Sequence, residues 1–353
     1  RLNDEADTAV VSESLYPGDI EVLKTLAAGT SLNLVFVKPD PKTGRMNVAA
    51  VEKAARDVGN RLACIVYPQL NFLGLLEDVD ALTDLAEDLG SRSVAVIDPM
   101  TITRGALKPP VAFGRKGASM FVAEGQHLAI SPNFGGPGLG IFGIRFNAEN
   151  KNDIRQTAGR FIGKGKDILG RNAFAIVLST REQHIRRDKA TSNICSNQSY
   201  LATLAGAALL ERGDEGLAAS AKLARENALK AFSQLTALPG VEPAYPDAPF
   251  WNEICIKVTK PAGELIQRGR AANLHIGVNV SERMGGKEQL LLLSFSDRHG
   301  EAEIKQLVSF FATEFPGNKT SAQPVSVPDL ALRKGSVAIP RVPASDIRKY
   351  YES

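Results

Sequence analysis

Two segments hold most of the side chains that could do chemistry. Residues 180–198, TREQHIRRDKATSNICSNQ, put Arg181, His184, Arg186 and Arg187 close together, with Asn193 shortly after. The planar fork of arginine matches carboxylate and phosphate bidentately, so the cluster suits a small anionic ligand. It equally suits an ion-pair network at an interface, and the sequence leaves both readings open. Residues 124–143, EGQHLAISPNFGGPGLGIFG, place Gln126, His127 and Asn133 in a glycine-rich stretch that follows a strand-like run over 118–123. Such glycines permit tight turns and close backbone approach to a ligand or a neighbouring chain. Taken alone, they are explained as plainly by a structural corner between two strands. The spacing of a phosphate loop is not met, and neither is that of a dinucleotide-binding turn. Cys195 has no evident activating base and reads as a small packing residue.

These segments need elements to position them. From Thr8 onward, short apolar runs (AVVS, LNLVFVK, LACIVYP, SVAVIDP) alternate with amphipathic stretches over 17–28, 47–58 and 77–89. Pro17 suits a first helical turn, and Gly90 suits a helix end. That alternation predicts an α/β layer structure with a mostly parallel sheet. Ligands gather at the carboxyl ends of strands in such sheets, which puts residues 68–74, 98–101 and 124–143 along one rim. Asp98, at the end of a Val/Ile run, reads first as a cap on the next turn. The region 200–238 predicts two helices broken at Arg212-Gly213-Asp214. A small α+β domain with an antiparallel sheet follows over FWNEICIKV, a helix at 263–272, NLHIGVNV, QLLLLSFSD and a helix at 301–312, with Phe250 and Trp251 in its core. The expected division is a large α/β domain over 1–199, bridging helices and a small domain over 200–312, a Pro/Ser/Thr-rich linker over 313–328, and a further segment from 329 to 353.

Composition narrows the function classes. The chain has 353 residues, 44% hydrophobic and 23% charged, with a formal net charge of +3. Its basic residues are dispersed and lack aromatic interleaving, which argues against a nucleic-acid face. No apolar run approaches the ~20 residues of a membrane span. The three cysteines, Cys64, Cys195 and Cys255, are odd in number and far apart, so neither a disulfide framework nor a metal site is expected. A reducing compartment is the expectation, cytoplasmic for a bacterial protein and the mitochondrial matrix for a eukaryotic one.

Four stretches resemble one family: YPQLNFLGLLEDVDAL (67–82), FGGPGLGIFG (134–143), GRFIGK (159–164), and REQHIRR with ATSNIC (181–195). The chain is similar to the P-protein, glycine dehydrogenase (decarboxylating), of the glycine cleavage system, and specifically to its first half, subunit 1 where the halves are separate chains. The likeness runs over roughly residues 8 to 312, in the family's order. It implies an α/β fold of the pyridoxal phosphate (PLP)-dependent transferase fold type I, with further residues ahead of Arg1. In the catalytic half of that family a His-Lys pair precedes the glycine-rich loop, the lysine anchoring the cofactor. Here Gly125-Gln126 stand in its place, and Lys116, Lys164, Lys166 and Lys189 all lie elsewhere.

The resemblance therefore implies a half that holds no catalytic residue by itself, with pyridoxal 5'-phosphate bound by the partner half. Its expected partners are the catalytic second half, lipoylated H-protein and glycine. Asp98 would be the carboxylate that faces the pyridine nitrogen in this fold type. His127 would stack on a ring or meet a substrate carboxylate, although a lone loop histidine is more often a local hydrogen-bonding residue. Residues 329–353 resemble the opening of the second half. Two other functions compete: a self-sufficient PLP enzyme such as an aminotransferase or desulfurase, and a structural half that only stabilises the assembly.

Overall fold

The computed structural model describes residues 6–132, 135–145, 162–176, 196–317, 327–330 and 332–333. Its centre is a six-stranded sheet in the order β2-β1-β3-β4-β5-β6. The strands are β1 (Thr8–Ser12), β2 (Asn33–Val37), β3 (Leu62–Pro68), β4 (Arg92–Ile97), β5 (Met120–Glu124) and β6 (Gly140–Ile144). All pair in parallel except β6, which runs antiparallel to β5 with Phe121 opposite Gly143. A Cβ added at Gly143 would come within 2.1 Å of the Phe121 ring, so a side chain there would push the edge strand away.

Three helices dress this sheet unequally. On one face lie α2 (Val48–Val58) and α3 (Val79–Asp88), whose Val51, Ala55, Leu82 and Ala86 pack on Val10, Ile65, Tyr67 and Ala95. Both start where a side chain can satisfy the free N–H groups of a first turn. Asn47 accepts from Ala49 and Ala50, and Asp78 accepts from Ala81. The third helix begins nearer Val79 than the expected 77 because Glu77 is drawn into a buried network. Its carboxylate accepts from the Ser14 hydroxyl, the Asn71 amide and the Met46 N–H, each at 2.8 Å. On the other face α1 (Pro17–Ala28) packs Ile20 and Leu23 over Ala9, Val11 and Val66. Cys64, Val94 and Val96 on that face are only partly buried, and Val122 is exposed.

The bridging region is one long run, α5 (Ser196–Thr236), interrupted at Gly213, where φ is 62° and ψ −178°. The predicted break is present, and it falls on a backbone conformation that is nearly glycine's alone. Beyond α5 a four-stranded antiparallel sheet, β11-β12-β10-β9, is formed by β9 (Val241–Pro243), β10 (Glu253–Val258), β11 (Val278–Asn279) and β12 (Gln289–Ser294). Between β6 and α5, β7 (Ile162–Lys166) and β8 (Asn172–Ile176) pair as a hairpin. The helices α6 (Ala262–Ala271) and α7 (Glu301–Glu314) complete the second layer, with Ile254, Ile256, Leu265, Leu291 and Phe311 in the core.

One loop ties the two layers together. Asn71 is fully buried, accepts from the N–H groups of Leu73 and Leu75, and donates to the Gly44 carbonyl and to Glu77. The loop so held reaches the second domain, where Leu76 donates its N–H to the Pro249 carbonyl and Leu75 bridges Phe250. The later segment returns to the large domain as well: Leu330 packs with Ala106, Leu107 and Trp251, and Arg333 exchanges backbone hydrogen bonds with Gly105 and Ala106.

Candidate functional site

Where β4 ends, Asp98 accepts a hydrogen bond from the Met100 N–H at 2.8 Å, the capping role expected of a strand-end aspartate. The same oxygen, Oδ1, lies 3.3 Å from Nε2 of His127. That histidine stands on α4 (Gln126–Ala129), a single turn starting at Gly125. Glu124 secures the turn by accepting from the N–H groups of Gln126 and Leu139. Gln126 spends its side-chain amide inside the same loop, donating to the carbonyls of Ile130 and Ser131. The hydrogen bond to Asp98 is the main cause that holds the pKa of His127 above the ordinary imidazole value, against a smaller opposing cost of burial.

Asp98 and His127 open onto a cavity of about 920 Å³ between the two domains. Its floor is Met100 and Thr101, and one wall is the run Leu128 to Pro132 that leaves the short helix. The kinked helix α5 supplies Ala208, Arg212, Ala221 and Ala224, and the small domain supplies Trp251, Asn252 and the turn Phe295 to Arg298. The glycines of the 124–143 stretch serve mainly the β5–β6 connection; the residues just before them form the wall.

A second hollow of about 760 Å³ shares Asp98, His127 and Asn252 and extends over the open sheet face, along Val11, Val66, Val94 and Val96. At its mouth the Tyr16 hydroxyl donates to Glu253 Oε2 at 2.5 Å. Burial raises the pKa of both groups, and each carboxylate charge nearby adds to the rise. Cys64 borders this hollow, and burial pushes its thiol up to about 11, away from thiolate reactivity.

The described residues lining the two cavities do not fit a covalently held PLP. No described residue lining either cavity is a lysine. Gln126, the residue expected in the place of an anchoring lysine, spends its side-chain amide on its own loop. Oδ1 of Asp98 already serves Met100 and His127. Among the described residues no group of three metal-ligating side chains exists, and no helix is long and apolar enough to cross a membrane.

Of the candidate residues, the structure brings His127 to this site; Gln126 adjoins it in the same turn but is not among the residues lining either cavity. Asn133, Arg181, His184, Arg186, Arg187 and Asn193 lie outside the described residues, as does Cys195. Sequence reasoning missed Arg212, Trp251, Asn252, Asp297 and Arg298. They come from α5, the entry to β10 and the exit of β12, and no spacing rule links them. The available signal was weak: a charged pair, Asp297 and Arg298, just after a strand in SFSDR.

Comparison with known proteins bears on the same frame. The family described as "Glycine cleavage system P-protein" matches residues 2–311. A protein of Nitrosomonas europaea named probable glycine dehydrogenase (decarboxylating) subunit 1 is 37% identical over 284 residues, 80% of this chain and 60% of the relative. The same name belongs to a protein of Methylococcus capsulatus that is 37% identical over 257 residues, 73% of this chain and 54% of that one. The chain thus spans less than two thirds of the length of these relatives. Among solved structures, the inhibitor-bound crystal structure of glycine decarboxylase (P-protein) of the glycine cleavage system is 30% identical, with a TM-score of 0.75, over 87% of this chain and 65% of that one. A C-DES variant with glycine covalently linked to its PLP cofactor is 15% identical with a TM-score of 0.59, covering 88% of this chain and 75% of that one. At that identity the likeness shows the fold alone, which is the PLP fold type I α/β architecture.

Proposed function

The chain belongs to the glycine cleavage system P-protein family, and we propose that it is the half of glycine dehydrogenase (decarboxylating) that lacks the cofactor-anchoring lysine. The observation that carries this reading is the glutamine at 126, closed into its own turn beside a cavity whose described lining holds no lysine. In the proposed reaction the bond from the glycine methylene carbon to its carboxylate breaks and CO2 leaves. The electron pair left on that carbon forms a C–S bond to the lipoyl arm of H-protein. The lipoyl disulfide is reduced as it opens, and its other sulfur takes a proton. PLP, bound by the partner half, supplies the electron sink; this chain's own residues route no step through it.

This half shapes the site of its partner, and the basic run at 181–187 supplies donors at the surface between halves. Arg181, His184, Arg186, Arg187 and Asn193, with Gln126, His127 and Asn133, are the proposed contact residues. Residues 1–199 form the large domain, 200–312 the bridge and small domain, 313–328 the linker, and 329–353 the start of the second half. H-protein and the catalytic half are the proposed partners.

The test is exchange of the glycine carboxyl with labelled bicarbonate, using the chain mixed with a separately expressed catalytic half and H-protein. Exchange that appears only with both halves present is the expected result. Exchange by the catalytic half alone, undiminished by leaving this chain out, would sink the reading. Substitution of Arg186 and Arg187 by Gln separates participation from scaffolding: lost exchange with intact assembly supports a direct role at the site, whereas lost assembly supports a structural one.

A further inference from the structure

The interdomain cavity has a charge pattern that the proposed reaction does not use. Arg212 borders it from α5 and Arg298 from the turn after β12, and neither has an ion pair or side-chain hydrogen bond among the described residues. Asp297, on the same wall, likewise has no ionic partner among the described residues. Asp98 and His127 already satisfy each other. What remains unmatched around one cavity is therefore two guanidinium groups and one carboxylate, the complement of a small zwitterion.

The turn bearing Asp297 and Arg298 is built rather than loose. The buried amide of Asn227 on α5 donates to the carbonyls of Ser296 at 2.9 Å and His299 at 2.6 Å. Nδ1 of His299 accepts from the Ser296 N–H at 2.9 Å, and the Arg298 N–H donates to the Ser296 hydroxyl at 3.2 Å. Asn252 holds the start of the same turn through the Phe295 carbonyl at 2.8 Å. A turn fixed in this way has its ordering cost met before any ligand arrives. Beside it, Ala221, Ala224 and Trp251 give an apolar wall on which a ligand side chain can rest.

We infer that this cavity binds a free α-amino acid without covalent attachment, its carboxylate between Arg212 and Arg298 and its ammonium at Asp297. The inference rests on the reading that no anchored cofactor fills this half. It goes beyond that reading by naming a ligand class for the cavity.

Trp251 is the chain's only tryptophan and it lines the cavity, so its fluorescence reports occupancy directly. The full chain is titrated with glycine and L-leucine, with acetate and methylamine as the two half-ligands. Both amino acids should give a saturable change and acetate a weaker one, while methylamine alone gives none. Arg212→Gln and Arg298→Gln should each weaken binding by about tenfold or more, as expected for hydrogen bonds to a charged group. Asp297→Asn should weaken the amino acids and leave acetate unchanged. Equilibrium dialysis with labelled glycine and leucine covers the case of a silent tryptophan. No binding of either amino acid by both methods overturns the inference, as does unchanged binding in a double arginine variant whose circular dichroism is intact. Exchange activity in the mixed halves without binding here would defeat this inference alone. Binding here without exchange would defeat the functional reading alone.

Discussion

His127 is a loop histidine that the sequence gives no strong reason to single out, and its importance lies in its contact with Asp98. With its pKa raised above the usual 6.5 chiefly by that hydrogen bond, it gains stabilisation from the pair while it is protonated. That contribution is present below about pH 6.5 and is lost as pH rises through the folded-state pKa. The Asp98→Asn variant keeps an oxygen for the Met100 N–H but removes the charge. The His127 titration followed by NMR should therefore move to lower pH in the variant; an unmoved midpoint would contradict the pairing. The sequence supplied Asp98 as a cap, a role it fills toward Met100, and His127 as a loop histidine. Their meeting was not legible, because it depends on the angle at which a single-turn helix leaves β5 relative to the end of β4.

At the scale of elements, periodicity and caps read well. The first helix begins at Pro17 and ends at Ala28 as the pattern predicts, and α2 starts behind Asn47. Failures are local. The helix expected from 77 starts later because a buried carboxylate at Glu77 takes its hydrogen bonds from three other segments. Of NLHIGVNV only Val278–Asn279 pairs as strand. The kink in α5 was legible from its glycine, and it makes a sharp prediction. Gly213→Ala forces a side chain into a region of φ and ψ that costs about 1–3 kcal/mol, so chemical denaturation should show a loss of that order. A neutral result would mean that the two halves of α5 can realign without cost. Because Arg212 adjoins the kink, the same variant should also perturb the fluorescence of Trp251 across the cavity.

For the whole molecule, the two main sheets were legible as two patterns, alternating strand and helix and then an antiparallel sheet, but the lock between them was not. Asn71 is the one polar residue in the run 70–76, and four hydrogen bonds converge on its side chain. Its replacement by Ala leaves buried N–H groups and the Glu77 carboxylate short of partners. Each unsatisfied group costs on the order of 1–3 kcal/mol, so Asn71→Ala should lower unfolding stability by about 2 kcal/mol or more. Since the loop joins both layers, the loss should appear in the transition of each domain; a change confined to the large domain would show that the layers are energetically separate.

The return of the segment around Leu330 and Arg333 to the strand-end loop at Ile102–Leu107 has a consequence for reach. Arg333 is held there by backbone bonds to Gly105 and Ala106 and by a side-chain bond to the Ile102 carbonyl. Whatever chain follows it therefore leaves from a fixed point on the large domain, and the residues of the preceding linker do not add to its freedom. If the second half begins at residue 329, as proposed, its opening is already docked on the large domain through Leu330 and Arg333. Covalent tethering of this kind gives an effective concentration on the order of millimolar at this surface. A separately made catalytic half would have to match that by affinity alone.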